Sequence, residues 1–275
     1  MAVARTRHAA VVLSGRIYVI GGIGANNTSL SSVEIYDPAS DTWTSGTPLP
    51  VALSYHTAEV IGGRIYVISS SGGVIYIFNP ANNSWSTSPR SNYNDPSQDS
   101  CTMLNDYIVI ATPAGAFSGG INVPFYQVSN NTWGAGSEFA TSDRRWFSAA
   151  CIGTDLYVVG GYSQFLTPKV DNTILKYHAV DPSGWTALPA RMAEARYSSS
   201  AVAFNGEIVV MGGQNTSQSF RSIEAYNPSS GTWRALPAMF RARIDFDSVV
   251  LNGMIYVIGG KSGTTVLSQV ERYTP

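Results

Sequence analysis

Charge is scarce in this chain. Only 13% of its 275 residues are Asp, Glu, Lys or Arg, the formal net charge is −1, and lysine occurs three times, at Lys169, Lys176 and Lys261. A dedicated nucleic-acid binder carries a basic excess, so that class is excluded and no nucleic-acid partner is expected. No run of 18 or more apolar residues exists, so no membrane-spanning helix is expected. The first residues, M-A-V-A-R-T-R-H, lack the apolar centre of a signal peptide, and a secreted form would need a leader outside this sequence. The two cysteines, Cys101 and Cys151, are too few for a disulfide scaffold and are not at metal-site spacing. Both are expected as buried free thiols, on opposite faces of their strands.

What the chain does have is repetition. Tryptophans stand at 43, 85, 133, 185 and 233, at intervals of 42, 48, 52 and 48. A stretch such as Arg196 to Trp233 holds three apolar runs separated by Asn205-Gly206, Gly212-Gly213 and Asn227-Pro228, and its tryptophan opens a fourth. Each break is a turn or hairpin signal. Six such units follow one another. Their second strands are Ile17-Tyr18-Val19-Ile20, Ile65-Tyr66-Val67-Ile68, Tyr107-Ile108-Val109-Ile110, Leu156-Tyr157-Val158-Val159, Ile208-Val209-Val210-Met211 and Ile255-Tyr256-Val257-Ile258. These β-branched, apolar runs suit strands buried on both faces. An aromatic precedes the tryptophan by seven residues (Tyr36, Phe78, Tyr126, Tyr226), or by eight at Tyr177. A period near 48 residues with four short strands per unit predicts propeller blades.

A double glycine after an apolar strand, a spaced Tyr and Trp, and a following L-P…A-R segment (Leu188-Pro189 to Arg196, Leu236-Pro237 to Arg243) together resemble the kelch repeat. The resemblance covers the whole chain. It is strong in repeats one, four, five and six, and degenerate in two and three, where Ser69-Ser70 and Ala111-Thr112 replace the glycines. It implies an all-β, six-bladed kelch-type β-propeller, with residues 1–275 as one domain. The last repeat ends at Val270 to Tyr273, Thr274 and Pro275 with no tryptophan strand after it, so the sixth blade is expected to lack its fourth strand. Truncation of a longer chain is the preferred explanation. The alternatives are a tolerated edge and a partner added by strand pairing at Val270 to Tyr273.

The resemblance also implies that the first strand of each blade borders a central channel. The lead-in to that strand is Arg5, Leu53, Asp95, Arg144, Arg196 or Arg243. Two residues on, facing the same way if the chain is extended, come Arg7, Tyr55, Ser97, Trp146, Ser198 and Asp245. Four arginines converging at the channel mouth would suit a carboxylate, a phosphate or an acidic peptide. Tyr55, Trp146 and Tyr197 would add stacking surface, with His56 beside them. The competing structural reading has each arginine bonding loop carbonyls or pairing with Asp95 or Asp245. The long loops between second and third strands are expected to form the binding face. His8 and His56 occupy matching sites but make at most two ligands, so no metal and no cofactor are expected.

The functional expectation is a non-catalytic binding scaffold for a protein segment or glycan. The first alternative is a carbohydrate-active enzyme, because mutarotase-like and oxidase-like proteins share the kelch propeller. The oxidase type needs a copper site with a Tyr linked to Cys, and neither cysteine suits it. The second is a structural subunit of an extracellular assembly. Sequons at Asn26, Asn27, Asn82, Asn130 and Asn215 are candidate glycosylation sites and lean the expectation toward an extracellular or secretory setting.

Overall fold

The computed structural model describes residues 1–69, 73–88, 101–104, 106–113, 120–136, 139, 144–163, 169–178 and 184–274. All regular structure among them is β. The chain divides into two compact units, one made of Met1–Ser97 with Asp245–Pro275 and the other of Gln98–Ile244.

The first unit holds repeats one, two and six. Repeat one is a four-stranded antiparallel sheet, Ala9–Leu13, Arg16–Ile20, Val33–Asp37 and Thr42–Ser45, in chain order across the sheet. Repeat two repeats this with Thr57–Ile61, Arg64–Ile68, Ile75–Asn79 and Ser84–Thr87. Repeat six has Asp247–Leu251, Met254–Ile258 and Val270–Tyr273, and no fourth strand among the described residues. The second unit holds the four-stranded sheets of repeats three (Cys101–Leu104 to Thr132–Ala135), four (Ser148–Ile152 to Trp185–Arg191) and five (Ser200–Phe204 to Thr232–Leu236).

The hairpin signals fall where the turns are: Ser14-Gly15, Asn205-Gly206 and Asn252-Gly253 all have positive φ. The second strands are the core. Ile17, Val19 and Ile20 are fully buried, as are Ile65, Val67, Leu156, Val158 and Val159. Alternate residues face opposite neighbours, so neighbouring sheets within each unit share apolar layers. Ala9, Val11 and Leu13 pack against Ile65, Val67 and Phe78 of repeat two, while Ala10, Ile17 and Val19 pack against Val249, Leu251 and Ile258 of repeat six. In the second unit Ala150, Tyr157 and Val159 pack against Ile208 and Val210. In repeats one to five the third-strand aromatic meets the fourth-strand tryptophan across the ladder, with centroids 5.1 Å apart in Tyr36–Trp43 and 5.2 Å in Tyr226–Trp233. Tyr177 faces Trp185 in the same register, with ring centroids 5.2 Å apart.

Cys101 pairs with Ile110 and Cys151 with Leu156. The matching partner of Ile110 in repeat four is Val159, three positions from Leu156, so the two cysteines differ by an odd step. Cys151 is half-buried, where a buried thiol was expected, and forms no disulfide among the described residues. The side chain of Cys101 lies outside the described residues.

Candidate functional site

The four lead-in arginines are not surface anchors. Arg5, Arg196 and Arg243 are wholly buried and Arg144 is 5% exposed. Arg5 Nη1 donates to the carbonyls of Gly21 (2.8 Å) and Ser32 (3.1 Å), and its Nη2 donates to Ser32 Oγ (3.1 Å) and Glu34 Oε2 (2.7 Å). Arg196 repeats this with Gly212 O (2.8 Å), Ser222 O (3.2 Å), Ser222 Oγ (3.1 Å) and Glu224 Oε1 (2.6 Å), and adds Glu194. A planar guanidinium fork meets these diverging acceptors as an ammonium could not. Burial pulls both guanidinium groups below their ordinary range, and Glu34 and Glu224 pull back. Arg144 is looser: Gly160 O and Asp171 are each 3.4 Å away, because repeat four has Leu175 at the register where its siblings have glutamate. The structural reading of these arginines thus replaces the expectation that they hold a ligand, though not through the partners first named. The missed partners are Glu34 and Glu224, and their signal was in the sequence: V-E-I-Y and I-E-A-Y. Asp95 and Ser97 lie outside the described residues.

The double glycines complete the clamp. The second glycine N–H donates at 2.8 Å to the lead-in carbonyl of the following repeat, in Gly22 to Leu53, Gly161 to Arg196, Gly213 to Arg243 and Gly260 to Arg5. A Cβ on Gly160 would stand 2.4 Å from Arg196 O, and one on Gly259 would stand 2.6 Å from Arg5 O. Close approach, in addition to positive φ, therefore demands glycine here.

The residues two further on are not extended. Arg7, Tyr55, Trp146, Ser198 and Asp245 all have φ between 52° and 56°. None is glycine, and a bulky residue such as Trp146 is rare in this region. The left-handed kink turns these side chains away from the buried lead-in residue. In the first unit, Arg7 N–H donates to Asp245 O (2.8 Å) and Tyr55 N–H to Arg7 O (3.1 Å). Arg7 Nε donates to Asp245 Oδ2 at 3.0 Å, and its guanidinium lies 4.2 Å from the Tyr55 ring centre. In the second unit, Trp146, Tyr162 and Tyr197 form a triangle of half-buried rings with centroids 5.5 to 5.9 Å apart. Trp146 and Tyr162 stack at 27°. Tyr162 was not anticipated. It follows Gly160-Gly161, on a short strand that pairs with Arg144–Arg145, and this pairing brings it to Trp146.

His56 is buried and gives its Nε2 to Ile20 O at 3.0 Å, and His8 is buried with no hydrogen-bond partner on either ring nitrogen among the described residues. Burial drives the His56 pKa down to about 4 and that of His8 well below its ordinary value. No group of three or more metal-ligating side chains occurs among the described residues. Two recessed carboxyls were also missed. Asp247 accepts 2.7 Å bonds from Ala10 N–H and Ser248 N–H, yet burial raises its pKa to about 7. Glu59 is raised well above its ordinary range by burial and by Asp247. Asn26, Asn27, Asn82 and Asn130 are exposed, and Asn215 is half-buried.

The kelch motif model matches residues 4–50, 195–240 and 242–275, the repeats in which arginine, double glycine and third-strand glutamate occur together. The chain carries kelch repeats. Repeat four, expected among the strong matches, is not among the matched segments. Along 251 residues the kelch chain is 24% identical to Kelch-like protein 25 of Xenopus tropicalis, covering 86% of this chain and 41% of that one. It is 28% identical over 113 residues to Kelch-like protein 23 of Mus musculus, covering 40% of this chain and 19% of that one. It thus spans about two fifths of the length of the relatives it matches along most of its own. Among solved structures, that of YjhT superposes with a TM-score of 0.82 at 14% identity, covering 99% of this chain and 95% of that one. The fold is therefore the six-bladed kelch-type β-propeller expected from the sequence.

Proposed function

We propose that this kelch chain is a non-catalytic protein-binding module, and that a protein segment docks on the Trp146–Tyr162–Tyr197 cluster. The observation that carries the reading is the cluster itself: three half-buried aromatic rings, one on a left-handed backbone, held by main-chain pairing of Arg144–Arg145 with Tyr162–Ser163 and of Tyr197 with Gln214. Rigid aromatics lose little entropy on binding and are enriched at binding hot spots. With Arg5, Arg144, Arg196 and Arg243 buried, and Arg7 already paired with Asp245, charge capture of an acidic ligand has lost the support those arginines gave it. Panning a random-peptide phage library on the wild-type chain and on Trp146→Ala tests the proposal. Enrichment on the wild type that disappears on the variant supports it. Binding that moves instead to a glycan array would replace protein by carbohydrate as the ligand. The exposed sequons support a secretory setting, which a mass shift of the natively sourced chain on glycosidase treatment checks.

A second reading, a carbohydrate isomerase, is favoured by one observation. Asp247, near pKa 7, and Glu59 stand on the first strands of repeats six and two, and a carboxyl titrating near neutrality suits proton transfer. Exchange spectroscopy of anomer interconversion over a panel of free sugars tests it. No acceleration by the wild-type chain, or equal acceleration by Asp247→Asn, sinks it.

A further inference from the structure

The link from a fourth strand to the next first strand is pinned by one buried side chain and one main-chain bond. Met239 N–H donates at 2.8 Å to Arg221 O, as Leu49 N–H does to Ser31 O and, at 2.9 Å, Met192 N–H to Asn172 O. Leu49, Met192 and Met239 are all buried. In each case the residue giving the carbonyl lies beside the two that follow the anchor. These sets are Ser31, Pro50 and Val51 in repeat one, Asn172, Ala193 and Glu194 in repeat four, and Arg221, Phe240 and Arg241 in repeat five.

Repeat five departs from its siblings. Phe240 is 78% exposed, the most exposed large apolar side chain among the described residues. The Arg241 guanidinium lies 5.8 Å from its ring centre. Arg221 and Arg241 are exposed, and neither forms an ion pair among the described residues. The carboxylate beside Ser222, that of Glu194, is already held by Arg196 and by the Ser222 hydroxyl. Repeats one and four make the same link with other residues, so the fold does not call for an exposed phenylalanine between two arginines. Two uncompensated guanidinium groups beside an apolar ring suit a carboxylate next to an apolar side chain.

This patch continues from the aromatic cluster within one compact unit. Tyr197 pairs with Gln214, and Gln214 with Ser219, two residues before Arg221. With paired residues about 5 Å apart and about 3.4 Å of rise per residue, Tyr197 and Arg221 are within about 17 Å, the reach of about five extended residues. Gln214 and Ser219, between them, are uncharged and half-buried.

We propose that Arg221, Phe240 and Arg241 form a second subsite for the protein segment that docks on Trp146–Tyr162–Tyr197, and that this subsite takes an Asp or Glu next to an apolar residue. The inference rests on the docking reading above and adds a composition and a length to it. The carboxylate pairs with the two guanidinium groups, its apolar neighbour lies on Phe240, and about five extended residues join them to the part held by the aromatic rings.

The test uses the phage-selected peptides, titrated calorimetrically at 50 and 500 mM NaCl against the wild-type chain, the double variant Arg221→Glu/Arg241→Glu, Phe240→Ala and Trp146→Ala. The peptides are expected to share an acidic residue. The double variant weakens binding at least about tenfold and Phe240→Ala several-fold, at unchanged melting temperature, and high salt weakens the wild-type complex. Changing the shared acidic residue to lysine weakens binding to the wild type and restores it on the double variant. Peptides that need Trp146 but bind the double variant as tightly as the wild type overturn this inference and leave the docking reading standing. Peptides indifferent to Trp146, or no enriched peptide at all, overturn both. Phe240-dependent sedimentation with phosphatidylserine vesicles that no selected peptide competes away assigns the patch to a lipid surface and overturns the inference.

Discussion

Arg5 and Glu34 are 29 residues apart in sequence and 2.7 Å apart in space, both side chains almost entirely withdrawn from solvent. Between them lie the double glycine and the loop that the guanidinium also holds. The pair therefore closes one repeat on itself, and Arg196 with Glu224 does the same at 2.6 Å.

Removing one member leaves the other charge buried. Arg5→Ala and Arg196→Ala are each expected to cost about 3–5 kcal/mol of folding stability. Arg234 pairs with Glu207 at 2.6 Å but is half exposed, so Arg234→Ala should cost at most about 1 kcal/mol. Chemical denaturation of the three variants measures this. Equal losses would mean that the buried fork has no special role.

The glycines divide by what surrounds them. Gly15 has φ +74° with open space where a Cβ would be, and Gly160 has φ +66° with Arg196 O at 2.4 Å. Gly15→Ala should cost about 1 kcal/mol from backbone conformation alone. Gly160→Ala should cost at least about twice that, because the following repeat's main chain must move away. Thermal melts of the two variants decide it, and similar losses would show that close approach is not what selects glycine at 160.

Asp247 gives the stability curve a defined sign. Its folded pKa of about 7 lies above the unfolded value of about 3.9, so the folded state holds the extra proton between them. Its contribution is present at low pH and is lost as pH rises from about 4 to about 7. Asp247→Asn should therefore gain on the wild type across that window, by about 1–3 kcal/mol at pH 8 relative to pH 4, a range that allows for the residue's partial contact with solvent. His56 and His8, held low, act with the opposite sign: their stabilisation is complete above about pH 6.5 and falls away below it. Urea denaturation at pH 4, 6 and 8 tests the prediction, and a gap between variant and wild type that does not widen with pH contradicts it.

The repeats were legible because their signals are local. Turn pairs such as Asn205-Gly206, apolar second strands such as Ile17 to Ile20, and Tyr-Trp spacing each report on a few neighbouring residues. The partners of Arg5 were harder to read, because Ser32 and Glu34 lie 27 and 29 residues away in sequence, and burial is a property of the assembled sheet. The kink at Arg7, Tyr55 and Trp146 was invisible for a different reason: none of these residues favours positive φ, so nothing in their chemistry announces it. Tyr162 became a neighbour of Trp146 only through the short pairing of Arg145 with Tyr162. The candidate site was thus half legible: Trp146 and Tyr197 were named from their positions, and of the two readings given for the arginines, ligand anchors or bonds to loop carbonyls, the second describes Arg5 and Arg196.

The most direct test compares the two residue classes in one binding measurement. Peptides selected on the wild-type chain are titrated against Trp146→Ala, Tyr197→Ala and, as a control for the buried fork, Arg196→Lys, with the folded fraction of each variant monitored. The predicted result is at least tenfold weaker binding for Trp146→Ala and Tyr197→Ala at unchanged melting temperature, and a lowered melting temperature with unchanged affinity in the folded fraction for Arg196→Lys. Affinity that survives both aromatic substitutions and falls with Arg196→Lys would contradict the account.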